Sequence, residues 1–225
     1  MSKANAHNKY LAFIILIGGK SARFGSDKGI FEFQGKPLLL YQLETLSLFK
    51  KELFLVAHSQ EQIESYRKKI KFLKEITFIL DDIEIISERE LHTPMIGIYS
   101  GLKELDKLGY EKIFLFSCDM PLIKSEVIEL LLEQSKGYDC CIPKWNNDFL
   151  EPLFAIYPVK GALQKAKENL KKRTFKMINL LDKNWKINYI SIENSIQPLD
   201  DKFLTFININ RPIDVEKLMK IYKNK

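Results

Sequence analysis

The chain has 225 residues, 46% of them hydrophobic and 28% charged, the balance of a soluble globular protein of one domain or a slightly enlarged one. No run of about 18 apolar residues occurs, so no membrane span is expected. Cys118, Cys140 and Cys141, with His7, His58 and His92, lack the pairing and spacing of a disulfide framework or a zinc site. The formal charge of +6 comes from dispersed basic residues, Lys171-Lys172-Arg173 being the one tight cluster between the termini. No nucleic-acid-binding module is therefore expected, while attraction to a small anionic ligand stays open beside an ordinary solvated surface.

The N-terminal MSKANAHNK is polar, without the apolar stretch of a signal peptide. Residues 1–9 read as a disordered tail on a cytoplasmic protein. Tyr10–Ile17, YLAFIILI, is a nearly continuous apolar run, the pattern of a strand buried on both faces. A glycine-containing loop follows, and Pro37 opens a helix with Leu39, Leu43 and Leu46 at helical spacing. Glu52–Ala57 is the next strand, Gln60–Phe72 a polar helical segment, and Ile76–Leu80 the third strand. Residues 95–108 read as a helix. Lys112–Ser117 is a fourth strand, running into Cys118-Asp119-Met120-Pro121. A helix from about Lys124 carries Val127, Leu130 and Leu131 on one face, and Asp139–Pro143 is a short fifth strand. Leu153–Tyr157 (strand), Val159–Leu170 (helix), Lys186–Ile192 (strand) and Pro212–Tyr222 (closing helix) complete the chain. Strand and helix alternate, which predicts an α/β fold of three αβα layers, Rossmann-like, with a mostly parallel sheet and helices on both faces.

Such a sheet binds ligands outside the carboxyl ends of its strands. The loops after the first, third and fourth strands hold Gly18–Lys28, Asp81-Asp82 and Asp119. In the first, Gly18-Gly19 lets the backbone turn sharply and lets a ligand approach main-chain amides, while Arg23 and Lys28 add positive charge suited to a triphosphate. The dinucleotide fingerprint is absent, because Gly18 is followed by Gly19 and then only by Gly25. The Walker pattern fails as well, because Gly25 is followed by Ser26 and Asp27. Asp119 reads either as a magnesium-holding carboxylate or as a helix cap before Pro121. Asp81-Asp82 is either a ligand contact or a polar strand exit. Gly97 serves close substrate approach or helix packing, and Asn208 and Asn210 lie at alternating positions before Pro212, as strand residues facing one cleft or as turn formers.

The full spacing G-G-x-S-x-R-x-G-x-D-K over Gly18–Lys28 resembles the signature of the MobA-like nucleotidyltransferases, in particular the guanylyl-transferring branch that acts on the molybdenum cofactor. Four further segments resemble that family in the same order: His92–Ile98, with Thr93 where glycine is usual; Asp119-Met120-Pro121; Glu151-Pro152-Leu153-Phe154-Ala155, with Glu151 in place of an amide or imidazole; and Phe206–Pro212. The likeness runs from about residue 10 to 218. It implies that Leu16, Ile17 and Gly18 line a nucleotide with their backbone, that Gly19, Arg23 and Lys28 attend its phosphates, and that Asp119 holds Mg²⁺. It implies a nucleotide-contacting aspartate at the end of the third strand, aligned best with Asp82, Asp81 remaining open, and an acceptor site near Gly97, Asn208 and Asn210. Val56 departs from the polar residue expected after the second strand.

The activity implied is transfer of GMP from GTP to molybdopterin carrying molybdenum, with Lys28, Arg23 and Asp119 as catalytic residues and no nucleic acid or membrane partner. Proteins that deliver molybdopterin and chaperones of molybdoenzymes would be partners. Residues 10–225 would form one domain, 10–143 as its nucleotide-binding half and 144–225 as its acceptor-binding half. Gly18-Gly19 favours guanine, since the cytidylyl-transferring relatives resemble A-A-G there. A cytidylyl, sugar-phosphate or isoprenoid-phosphate transferase of the same fold is the neighbouring alternative. A non-catalytic nucleotide-binding regulator would keep the glycines but lose the carboxylate that Asp119 supplies.

Overall fold

The computed structural model describes residues 9–18, 27–70, 73, 76–85, 93–211, 213–216 and 218. The expected tail over residues 1–8, Gly19, Arg23, the last two residues of the predicted helix Gln60–Phe72 and most of the closing helix lie outside the described residues. Strand β1, Leu11–Leu16, is buried along its whole length because it is an inner strand of the sheet with helices on both faces. Its alternate side chains feed two cores, as a period of two requires. Phe13, Ile15 and Ile17 pack with α1 (Leu38–Ser47), α2 (Gln60–Lys69) and α4 (Ser125–Gln134). Ala12, Ile14 and Leu16 pack with α3 (Pro94–Leu108) and α5 (Val159–Lys172). Those are the two outer layers of the expected αβα sandwich.

A short hairpin, β2 (Glu32–Phe33) with β3 (Lys36–Pro37), precedes α1. The sequence reads as loop there. Gln34 and Gly35 both take positive φ, 51° and 74°, which is the twist of a two-residue hairpin turn, and ladders of two residues leave no periodicity to detect. Pro37 caps α1 from outside rather than opening it. The remaining strands are β4 (Leu53–Ala57), β5 (Thr77–Leu80), β6 (Lys112–Ser117), β7 (Cys140–Lys144), β8 (Ala155–Pro158) and β9 (Ile187–Ser191). The seven-stranded sheet runs β5-β4-β1-β6-β8-β7-β9. β1, β4, β5 and β6 are mutually parallel, and β8 alone runs against its neighbours β6 and β7.

The chain leaves β1 outward to β4 and β5, then returns to β6 on the other side of β1. That reversal is a topological switch point, and the crevice it opens lies at the carboxyl ends of β1 and β6. The register pairs Leu16 with Ser117, so the segments following these two strands start side by side.

Candidate active site

Asp119 lies two residues beyond β6 in a tight turn. The capping alternative does not hold: α4 starts at Ser125 with Lys124 at its cap position, six residues on. The turn is held instead from α1. Gln42, fully buried, donates from Nε2 to the carbonyls of Ser117 (2.7 Å) and Met120 (2.6 Å), and the Asp119 carbonyl accepts from Ile209 N at 2.8 Å. The carboxylate fixed by this frame has one oxygen, Oδ1, that is buried without a hydrogen-bond partner among the described residues. A buried charge-bearing atom left unsatisfied is costly, and a ligand that supplies positive charge removes the cost.

Lys28 comes to the same place from the other side of the switch point. Its Nζ stands 3.9 Å from Asp119 Oδ2 and donates to Asn210 Oδ1 at 2.8 Å. Thus three of the residues singled out in the sequence, from positions 28, 119 and 210, converge. Asn208, the fourth, makes a local bond from its amide to the Phe206 carbonyl at 3.4 Å. The stretch carrying both asparagines is not a ladder strand. It has no regular secondary structure, and its inner residue, Ile209, is buried and bonded to the Asp119 carbonyl. Glu151 also belongs to this neighbourhood. Burial raises its pKa, the Trp145 N–H at 2.7 Å works against that, and the charge of Asp119 adds to it. Trp145 in turn packs on Phe203 and Phe206.

A second part of the crevice surrounds Asp81. Its Oδ1 is buried and, among the described residues, unpartnered; a Cβ on Gly97 would lie 3.4 Å from that oxygen and one on Gly18 3.7 Å from Oδ2. His58 borders Gly18 on the same side. A Cβ at Gly97 would also come within 3.3 Å of the Leu16 side chain and 3.6 Å of Val56, so α3 packs closely on the sheet at that glycine. Asp82 is engaged elsewhere: its carboxylate pairs with Lys103 at 2.5 Å and its N–H donates to Ser100 Oγ at 2.7 Å. Leu16 and Ile17 are buried and Gly18 is exposed. The amides of Ile17 and Gly18 both donate to the Val56 carbonyl, and the Leu16 carbonyl accepts from Cys118, so these groups extend the sheet at the edge of the crevice.

Burial raises the Asp81 pKa from the ordinary carboxylate value to about 7. A raised pKa in the folded state means that this group's contribution to stability is complete below about pH 4 and is lost as pH rises to about 7. The span corresponds to at most about 4 kcal/mol. Asp81→Asn is therefore expected to flatten the fall in melting temperature between these limits and to exceed the parent's stability above neutrality. Parallel pH–melting curves for the two proteins would contradict this.

Residues 13–182 match the family model described as the MobA-like NTP transferase domain. The chain belongs to the MobA-like NTP transferase family. Among relatives of this family, a probable molybdenum cofactor guanylyltransferase of Methanosarcina mazei is 29% identical over 221 residues, covering 94% of this chain and 91% of its own. The protein of the same description from Thermococcus kodakarensis is 33% identical over 208 residues, with 91% and 92% covered. The crystal structure of molybdopterin-guanine dinucleotide biosynthesis protein A from Archaeoglobus fulgidus matches with a TM-score of 0.74 at 25% identity, over 95% of this chain and 100% of that one. A 4-diphosphocytidyl-2C-methyl-D-erythritol synthase from Anaerococcus prevotii reaches a TM-score of 0.70 at 14% identity and shares the fold. This MobA-like chain is a nucleotidyltransferase, and the crevice at the switch point is its candidate active site.

Among the described residues, the ones the sequence did not single out are Gln42, Gln62 and Tyr66. All three are buried polar side chains on helices. Only a polar residue on an otherwise apolar helix face, as Gln42 is between Leu39 and Leu43, offered a signal.

Proposed function

We propose that the enzyme transfers GMP from GTP to the terminal phosphate of molybdopterin carrying molybdenum, releasing pyrophosphate. The observation that carries the reading is the meeting of Lys28 and Asp119 across the switch point. A phosphate oxygen of the acceptor bonds to the α-phosphorus of GTP, the bond from that phosphorus to the bridging oxygen breaks, and its electron pair leaves on pyrophosphate. The acceptor is itself the nucleophile, so no covalent protein intermediate is needed. The enzyme contributes alignment and charge.

Lys28 Nζ neutralises charge on the phosphates and on the departing pyrophosphate, with Asn210 fixing its direction. Arg23 and Gly19 keep the phosphate role that the family signature gives them. The unsatisfied Oδ1 of Asp119 fits a divalent cation, and Mg²⁺ suits a site with one protein carboxylate because it takes its other ligands from phosphates and water; when bound, it draws charge from the phosphate oxygens. Asp81 is the better candidate for the base than Asp82. An ionised carboxylate accepts from both N1–H and N2–H of guanine, and Asp81 has Oδ2 beside Gly18 and, beside Gly97, an Oδ1 with no partner among the described residues, whereas Asp82 is held by Lys103.

A nucleotide panel tests the base assignment. With Mg²⁺, calorimetry is expected to find GTP bound at least about tenfold more tightly than CTP, ATP or UTP, the discrimination typical of a site that pairs buried polar groups with one base. A preference for CTP would replace guanylyl by cytidylyl transfer and leave the fold and the phosphate site as described.

A further inference from the structure

The geometry points to Gln62 and Tyr66 of α2 as positioning residues that set the phosphate cation Lys28 by gripping its neighbour Asp27. This rests on the reading that Lys28 meets the triphosphate. Ile17 and Asp27 stand at the two ends of the signature loop, and a single amide holds both. Gln62 Nε2 donates to the Ile17 carbonyl at 2.9 Å and also to Asp27 Oδ2. Its orientation is fixed from behind, because Gln62 Oε1 accepts from the His58 backbone N–H at 2.9 Å and from His58 Nδ1 at 2.8 Å. A flipped amide would turn its NH₂ on the His58 N–H and leave the Ile17 carbonyl facing an oxygen.

One helical turn further along, Tyr66 donates to the other carboxylate oxygen, Asp27 Oδ1, at 2.6 Å. Residues four apart on a helix share a face, so α2 presents both donors to one carboxylate. Gln62 is 4% exposed and Tyr66 0%, and water competes little at either. Gly29 completes the fit: a Cβ there would run into the Tyr66 hydroxyl, so glycine lets the chain after Lys28 pass against the ring. Asp27 is thereby satisfied by two neutral donors, while the adjacent Lys28 ammonium reaches Asn210 and Asp119. The grip fixes the span of the loop from Ile17 to Asp27 and the point from which the Lys28 side chain departs. A displaced cation costs turnover, since misplacement by about 1 Å can lower a rate by about a hundredfold.

The test compares wild type with Tyr66→Phe and Gln62→Leu, and with Asn169→Ala as a control for stability. Asn169 is a buried polar residue of α5 that donates to the Asn179 carbonyl at 2.9 Å, in the opposite helical layer. Two readouts are taken: turnover with GTP, Mg²⁺ and molybdopterin, and amide exchange at Ile30 and Phe31 without nucleotide. Those two amides close the turn around Lys28 by donating to the Asp27 and Lys28 carbonyls. For Tyr66→Phe we expect kcat with GTP to fall about tenfold and for Gln62→Leu about a hundredfold, with the acceptor KM unchanged and exchange at Ile30 and Phe31 faster. Asn169→Ala should lower the melting temperature comparably and move neither readout. Folded Tyr66→Phe with wild-type kcat and wild-type exchange overturns the inference; since it removes a single oxygen, it carries the test should Gln62→Leu fail to fold. A wild type that neither binds GTP nor turns it over counts against the proposed function, and the exchange arm then decides this inference alone.

Discussion

Asp119→Ala is expected to lose at least about a thousandfold in kcat, the scale of removing a charge-stabilising group from a phosphoryl-transfer site. Its melting temperature should stay at or above that of the wild type. The two halves of this expectation come from the same observation. Oδ1 of Asp119 is buried with no partner among the described residues, so the folded protein carries the desolvation cost of the carboxylate without a compensating hydrogen bond at that atom, and deleting it relieves the fold. The turn itself survives, since its supports are the Gln42 amide and the bond from Ile209 N to the Asp119 carbonyl, none of which uses the side chain. Asp119→Asn separates charge from shape and should be nearly as inactive, because an amide is a poor ligand for a hard cation. The measurement is initial rate against Mg²⁺ concentration beside a melting curve. An alanine variant with full Mg²⁺-dependent turnover would sink the assignment.

Lys28→Ala is expected to lower kcat by about a hundredfold, equivalent to about 3 kcal/mol of transition-state stabilisation. Stability should change little, since among the described residues Nζ meets only Asn210 and, at 3.9 Å, Asp119, in a partly exposed setting. Lys28→Arg should recover part of the rate: the charge remains, but a planar fork on a longer stem meets the phosphates in a different place. Asn210→Ala should cost less, about tenfold, because it frees the direction of the ammonium without removing it. If Asn210 acts only through Lys28, the double variant is no slower than Lys28→Ala, and a double-mutant cycle reads that coupling directly. Full additivity would show that Asn210 contacts a substrate in its own right.

Legibility in the sequence followed burial. β1 could be read because a strand buried on both faces has no polar positions to blur it, and the strand-end positions of Gly18 and Asp119 followed from the alternation of strands and helices. Asp81 and Asp82 could not be separated, because Phe78-Ile79-Leu80 is apolar throughout and shows no alternation. The structure separates them: the Asp81 N–H still donates to the Ala57 carbonyl, so Asp81 ends the ladder while Asp82 turns toward α3. The supports were invisible for a different reason. Gln62 lies in QEQIESYRKK, a segment so polar that a buried glutamine looks like any solvated one, and its importance comes from Ile17, 45 positions earlier, and Asp27, 35 positions earlier. Contacts across such distances leave no trace in local spacing.

The reversed strand β8 has a consequence for how such an enzyme changes its trade. Because β8 runs against β7, the chain returns through the short segment between Lys144 and Ala155 instead of through a helix crossing the sheet. That segment emerges at the same end as the loops after β1 and β6, and it brings Trp145 and Glu151 to the neighbourhood of Asp119. A surface connection tolerates altered length at small entropic cost. The half of the fold proposed to hold the triphosphate can therefore stay fixed while this single return is lengthened, shortened or recoloured. Grafting the corresponding return from a relative with a different acceptor is the direct route to a transferase with the same donor chemistry and a new recipient.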